Sequence, residues 1–119
     1  MPVATLLARN PLTGATIAAD LIDELSHRHN RHRDEIATDW FTALGKFLFV
    51  PAVALIARWG IALEPHPQNT VIILRDGMPH RIVVRDLGGC RLWANGPLAA
   101  HPIVDKLRAT ALIETDPLR

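Results

Sequence analysis

Cysteine is nearly absent from this sequence: Cys90 stands alone among 119 residues. A single thiol excludes an internal disulfide framework and a multi-cysteine zinc site, and it fits a reducing compartment, so the cytoplasm is the expected address. An excess of charge of one sign is also lacking, since 13 Lys+Arg stand against 12 Asp+Glu. A balance so near neutral gives no electrostatic basis for binding a nucleic-acid backbone. The N-terminus has no basic segment followed by an unbroken apolar stretch and a small-residue cleavage site, so no signal peptide is expected. The longest apolar run, residues 47–57, contains Pro51 and lies between Lys46 and Arg58. It falls well short of the ~20 residues that a membrane span requires. Internal repeats and low-complexity segments are absent too.

What is present is an ordinary globular composition, 49% hydrophobic and 21% charged, enough to bury a core. The first half reads as helix. Ile17, Leu21 and Leu25 recur at helical spacing after the turn-like residues 10–14, which predicts a helix over 15–27 with Asp20, Asp23 and Glu24 on its polar face. A second stripe, Ile36, Trp40, Leu44 and Leu48, predicts another helix, opened by Asp34 as N-cap or first-turn acid and expected to bend or break near Pro51. Residues 52–59 are apolar nearly all round, the pattern of an element covered on most sides.

Beyond Gly60 the period changes. Two β-branched runs, 70–75 and 80–85, flank Asp76-Gly77-Met78-Pro79 and predict a hairpin. The first run is apolar on both faces, so cover is expected on two sides. Asp86-Leu87-Gly88-Gly89 ends the hairpin, Asn95-Gly96-Pro97 marks a turn, and a final helix is expected over 101–112.

Two polar clusters flank the hairpin: Glu64, His66, Gln68 and Asn69 before it, Arg85 and Asp86 after it. With a four-residue loop Asn69 pairs with Asp86; with a two-residue turn it pairs with Val84 and lies diagonal to Asp86. Either register places Asn69 and Asp86 on one face, and only a bulge would separate them. An amide oxygen and a carboxylate side by side are hard oxygen donors, suited to a Mg²⁺ that keeps its waters and binds phosphate oxygens. Glu64 could join or support that shell, His66 could donate to a phosphate, and Gly88 and Gly89 would let backbone approach a ligand closely. The order His, Asn, hairpin, Asp-x-Gly is that of the metal-binding half of kinase-like folds. Kinases place an aspartate base just after the histidine, whereas Pro67 and Gln68 stand here. That favours attack on phosphorus by a carboxylate, which has no proton to lose, over attack by an alcohol.

Gly60-Ile61-Ala62-Leu63-Glu64-Pro65-His66-Pro67-Gln68-Asn69 followed by Arg85-Asp86-Leu87-Gly88-Gly89 resembles the signature of the aerobactin-synthetase-like family, the siderophore synthetases that work independently of non-ribosomal peptide synthetases. Val3-Ala4-Thr5-Leu6-Leu7 with Asn10-Pro11, and Trp40 through Pro51, extend the likeness over nearly the whole chain. The resemblance implies ATP-dependent condensation: a carboxylate, often citrate or a derivative, is adenylated, and an amine or alcohol then forms the amide or ester. It implies that His66 contacts the phosphates or the adenylate as the catalytic residue. Asn69 and Asp86, with Glu64, would hold Mg²⁺, and Gln68 would support that shell within the nucleotide site. Arg85, which alternation points away from Asp86, is expected in a structural ion pair unless the strand ends before it.

Family members are several times longer and carry a Ser-x-Arg-Thr-type phosphate element in an N-terminal portion that does not occur here. The expectation is therefore one partial α+β domain, helices packed on a short antiparallel hairpin sheet that forms a kinase-like metal-binding half. Residues 1–59 would be helical, 60–93 the ATP and Mg²⁺ region, and 94–119 a C-terminal helix and tail. Expected partners are the carboxylate and the amine or alcohol of the parent enzyme, with a complementing N-terminal polypeptide and a homodimer left open; nucleic acid and membrane are not expected. Two other readings stay beside it: a non-catalytic remnant or interaction module, and a kinase-like phosphotransferase fragment. His27, His29 and His32 read as a solvated basic connector, because Arg28, Arg31 and Arg33 oppose a bound cation. Cys90 reads as an inert thiol, and Trp40, Trp59 and Trp93 as core or interface residues.

Overall fold

A computed structural model describes residues 1–115; the last four residues of the expected tail lie outside the described residues. In chain order the elements are a 3-10 turn Val3–Leu7, α1 (Ile17–His29), α2 (Arg33–Trp59), β1 (Ile61–Ala62), β2 (Thr70–Arg75), β3 (Met78–Val84), a 3-10 turn Leu87–Gly89, β4 (Arg91–Trp93), α3 (Pro102–Leu107) and β5 (Ile113–Glu114). They divide into two compact units. One comprises Met1–Leu48 with Pro65–Arg85, the other Phe49–Glu64 with the chain from Asp86 onward.

In the first unit, α1 starts where Thr16 accepts a hydrogen bond from the Ala19 amide through its side chain. It ends where Asn30 adopts the left-handed conformation that a short polar side chain tolerates. The helix buries Ala18, Ile22 and Leu25, a stripe turned slightly from the expected one, with Leu21 packed at its edge. From α2 come Ile36 and Trp40, which meet Leu6, Ile22, Leu25 and Ile72 in one core. The connector between the helices is exposed and ion-paired on its surface. Arg28 meets Glu24, Arg33 meets Asp23, and Arg31 lies 2.8 Å from Asp39 and 3.4 Å from Glu35. The hydrogen bond that Arg31 donates to the Asp39 carboxylate is the main cause holding the guanidinium pKa above its ordinary value. His27, His29 and His32 are exposed along this connector.

α2 does not break at Pro51; it continues to Trp59. Proline forfeits one intrahelical hydrogen bond and crowds the preceding turn, but its fixed φ is itself helical. Gly60, at φ +65°, then ends the helix with its amide donating to the Ile56 carbonyl at 2.9 Å. The expected cover over residues 52–59 is not found among the described residues: Val53, Ile56 and Trp59 are each more than half exposed. As one continuous helix, α2 is long and apolar enough to span a membrane by length and composition, which the 11-residue apolar run did not suggest.

β2 and β3 form the expected antiparallel hairpin. Arg75 pairs with Met78, so the turn is the two residues Asp76 and Gly77, both at positive φ (52° and 84°) as a right-twisted ribbon requires. The helices clasp this turn. Arg28 donates to the Asp76 carbonyl at 3.2 Å and the Trp40 indole to that of Gly77 at 3.0 Å. Leu25 approaches so closely that a Cβ on Gly77 would lie 2.9 Å from its Cδ2. The outer edge of β2 is paired by the N-terminus, where Met1 and Ile72 exchange two 2.8 Å hydrogen bonds. Cover is one-sided, not two-sided: Thr70 and Ile72 are buried while Ile73 is exposed, because the core meets only one pleat face.

The second unit holds a small sheet in the order β1-β4-β5, with β1 antiparallel and β5 parallel to β4. Strands of two or three residues are too short to show a period, so no reading of sequence pattern isolates them. Leu92, Ala94 and Val104 form its core. α3 is shorter than the expected 101–112. His101 Nδ1 caps it by accepting from the Ile103 amide at 3.1 Å, Pro102 opens it, and the chain turns after Leu107 to reach β5.

Candidate active site

The site residues fall into two groups, one in each unit. In the first unit, residues 67–69 form a tight turn closed on His66, whose carbonyl accepts from the amides of Asn69 and Thr70, both at 3.0 Å. The Pro67 carbonyl accepts from the Ala4 amide at 2.9 Å, so the N-terminal 3-10 turn braces the loop. The His66 Nδ1 accepts from the Gln68 amide at 3.4 Å. With Nδ1 an acceptor, the neutral ring carries its proton on Nε2, and the imidazole is exposed. It is therefore arranged as an Nε2–H donor. Gln68 is exposed and Asn69 half-buried.

The ladder leading from this loop carries the bulge that the counting of registers singled out. Leu74 pairs with Pro79 but Ile73 with Arg81, so His80 is an extra residue on β3. Thr70 then pairs with Val84, and one step further the Arg85 amide donates to the Asn69 carbonyl at 2.8 Å. Both expected registers are corrected: Asn69 faces Arg85, and strand alternation no longer places Asp86. β3 ends at Val84, which also removes the alternation argument for Arg85. Its guanidinium donates to the Gln68 carbonyl at 3.2 Å and so holds the loop.

In the second unit, Asp86 stands at φ 58°, ψ 68°, a left-handed conformation uncommon outside glycine and most accessible to Asn and Asp. It opens the 3-10 turn Leu87–Gly89, closed by the Cys90 amide on the Leu87 carbonyl at 3.0 Å. Arg91 fastens the segment by donating to the Cys90 carbonyl at 2.9 Å and to that of Gly88 at 3.4 Å. Asp86 and Glu64 are exposed. Next to this turn lies an apolar cavity of about 370 Å³, lined by Ile61, Leu63, Leu87, Cys90, Leu92 and Leu98 among others.

Among the described residues no three His, Cys, Asp or Glu side chains converge as a metal cage. Magnesium does not ask for one: it is commonly held by one or two carboxylates with phosphate oxygens and water. Glu64 and Asp86 in the second unit, and the carboxamide of Asn69 in the first, each offer a hard oxygen donor of that kind. What pattern reading missed is the bracing of the loop by Ala4 and Arg85. The only signal for the first was the likeness of residues 3–7 to the family.

The architecture, helices with two small sheets, is that of a solved siderophore-synthetase segment. The structure of aerobactin synthetase IucA from Klebsiella pneumoniae matches 98% of this chain and 21% of its own, at TM-score 0.84 and 19% identity. That of IucC, from the same organism, matches 89% and 18% respectively, at TM-score 0.69 and 26% identity. In sequence, staphyloferrin A synthase of Staphylococcus aureus is 34% identical over 89 residues, 75% of this chain and 15% of the synthase. N(2)-citryl-N(6)-acetyl-N(6)-hydroxylysine synthase of Vibrio mimicus is 32% identical over 87 residues, 73% and 14% of the respective chains. The chain thus spans about a seventh of the curated relatives it matches and a fifth of the solved structures. A family model described as "Ferric iron reductase FhuF-like transporter" matches residues 38–118. The chain belongs to that FhuF-like family, and its relatives are siderophore synthetases of the aerobactin, staphyloferrin and rhizobactin type.

Proposed function

We propose that this chain carries the magnesium- and phosphate-binding half of an ATP-dependent ligase that condenses citrate, or a citrate-derived carboxylate, with an amine or alcohol during siderophore assembly. The observation that carries the reading is the preformed 66–69 turn. There His66 Nδ1 is engaged by the Gln68 amide, and Nε2–H is left to donate. Donors fixed before a ligand arrives cost no reorganisation when charge develops on phosphate oxygens. In this reading His66 donates to the phosphate or adenylate, Asn69, Asp86 and Glu64 hold Mg²⁺, and Gln68 supports the nucleotide. Magnesium, when bound, neutralises charge on the polyphosphate.

A substrate carboxylate attacks the α-phosphorus, pyrophosphate leaves with the bond it held, and an acyl-adenylate forms. An amine or hydroxyl then attacks the acyl carbon, losing its proton as AMP departs. Gln68 in place of a carboxylate base suits the first step, because the nucleophile is already an anion. The same feature weighs against a kinase-like phosphotransferase, although the kinase-like order of metal residues is part of this proposal. Several relatives are named for citrate and an amine, among them spermidine-citrate ligase and L-2,3-diaminopropanoate–citrate ligase. A second IucA structure, which matches 95% of this chain, is of the ATP-bound synthetase.

The chain spans a fifth of the synthetase length. In the ligase reading the remainder comes from further polypeptide, and the protein works in the cytoplasm, as chain or homodimer. Lys46 within the apolar part of α2, and the burial of Ile36 and Trp40 near its start, favour a soluble helix over a membrane span. Calorimetry of the purified chain with ATP, with and without Mg²⁺, tests the proposal. Magnesium-dependent binding that Asn69→Ala and Asp86→Ala each abolish supports it; no binding by folded wild-type chain refutes it and leaves the remnant.

A further inference from the structure

The pair Gly88-Gly89 looks in sequence like a place where backbone meets ligand, but the two glycines have different surroundings. Neither has a positive φ, so backbone conformation demands glycine at neither position. A Cβ added to Gly88 would meet nothing within 4 Å. At Gly89 it would overlap Glu64 Oε2 and lie 3.0 Å from both the Cβ and the Cδ of that side chain. What occupies the space above Gly89 is therefore the Glu64 side chain along its length, not open room for a nucleotide. Glu64 follows β1 by two residues and Gly89 closes the 3-10 turn begun at Asp86, so the contact joins the segment that carries Glu64 to the one that carries Asp86.

We infer that Gly89 is a positioning residue: its missing side chain is the seat that fixes the Glu64 carboxylate beside the turn opened by Asp86, while Gly88 serves no such purpose. Any Cβ at position 89 drives the carboxylate out. Because the Glu64 Cβ also lies at 3.0 Å, rotation of the terminal carboxyl removes the overlap with Oε2 but leaves that contact in place. The inference rests on the proposed role of Glu64 as a magnesium ligand or supporting group.

The test compares wild type, Gly88→Ala, Gly89→Ala, Glu64→Ala and the double variant Glu64→Ala/Gly89→Ala, read by thermal melting and by Mg²⁺-dependent ATP calorimetry. Gly88→Ala should melt as wild type does, since its Cβ meets nothing within 4 Å. Gly89→Ala should lower the melting temperature and weaken magnesium-dependent binding by about tenfold, the order seen when a supporting group of a metal site is removed. In the Glu64→Ala background the same alanine should cost much less, since the carboxyl end is gone and only the Cβ of residue 64, 3.0 Å away, is left to give way. Additive losses in the double variant, or equal effects of Gly88→Ala and Gly89→Ala on the melting temperature, overturn the inference. If Glu64→Ala leaves binding intact while Asp86→Ala abolishes it, the positioning role falls and the ligase reading stands. If wild type binds no ATP, the ligase reading falls, and the inference is overturned with it as a functional claim; the melting cycle still reports whether the seat exists.

Discussion

Trp40 is fully buried and donates its indole N–H to the carbonyl of Gly77 at 3.0 Å, tying α2 to the hairpin turn. Trp40→Phe keeps an aromatic ring but removes that donor and part of the volume. Loss of the hydrogen bond costs about 1 kcal/mol. The smaller ring leaves a void in a core shared with Leu25, Ile36 and Ile72, worth about 1–2 kcal/mol more. The expected total, about 2–3 kcal/mol, corresponds to a fall in melting temperature of about 10 °C for a chain of this length. The comparison is Trp59→Phe, because Trp59 is 51% exposed and its replacement should cost no more than about 0.5 kcal/mol. Thermal melting by far-ultraviolet circular dichroism, with urea titration as a second route, reads both. Trp40→Phe within about 0.5 kcal/mol of wild type, or Trp59→Phe costing as much as Trp40→Phe, would refute the assignment of the core.

Other substitutions probe separate features. Gly77→Ala places a Cβ at φ +84° and 2.9 Å from Leu25; it should destabilise by about 2 kcal/mol from backbone conformation and crowding together, and an unchanged denaturation midpoint would contradict the turn. Thr16→Ala removes the α1 cap and should cost about 1 kcal/mol, read as a lowered urea midpoint. Thr70 is buried, and its Oγ1 has no hydrogen-bond partner among the described residues. Thr70→Val should accordingly leave stability equal or raised, and a loss above about 1 kcal/mol would show that the hydroxyl is bonded after all.

Much of the architecture was legible because it rests on local signals. The α1 pattern, the Asp76-Gly77 turn and the two β-branched runs each declare themselves within a dozen residues. The candidate residues Glu64, His66, Gln68, Asn69 and Asp86 were legible as an ordered motif, since spacing along a chain survives without knowledge of contacts. Their geometry was not. The His80 bulge changes no composition and no apparent period, yet it moves every pairing beyond it by one residue and sets Asn69 opposite Arg85. The β1-β4-β5 sheet escaped notice because its strands are held by distant partners and not by any periodicity of their own.

By itself, then, the sequence determined which residue types stand in which order: a near-neutral chain with one thiol, two helices, a hairpin and the polar motif on its flanks. Tertiary structure alone decided what those residues touch. The bulge at His80 sets Asn69 opposite Arg85, the hairpin is covered on one face because only one core reaches it, and Gly89 differs from Gly88 because Glu64 occupies the space above it. The physical reason is common to all three. Local propensity acts through the backbone of neighbouring residues, whereas register, cover and close approach depend on groups that are remote in the chain and near only after folding.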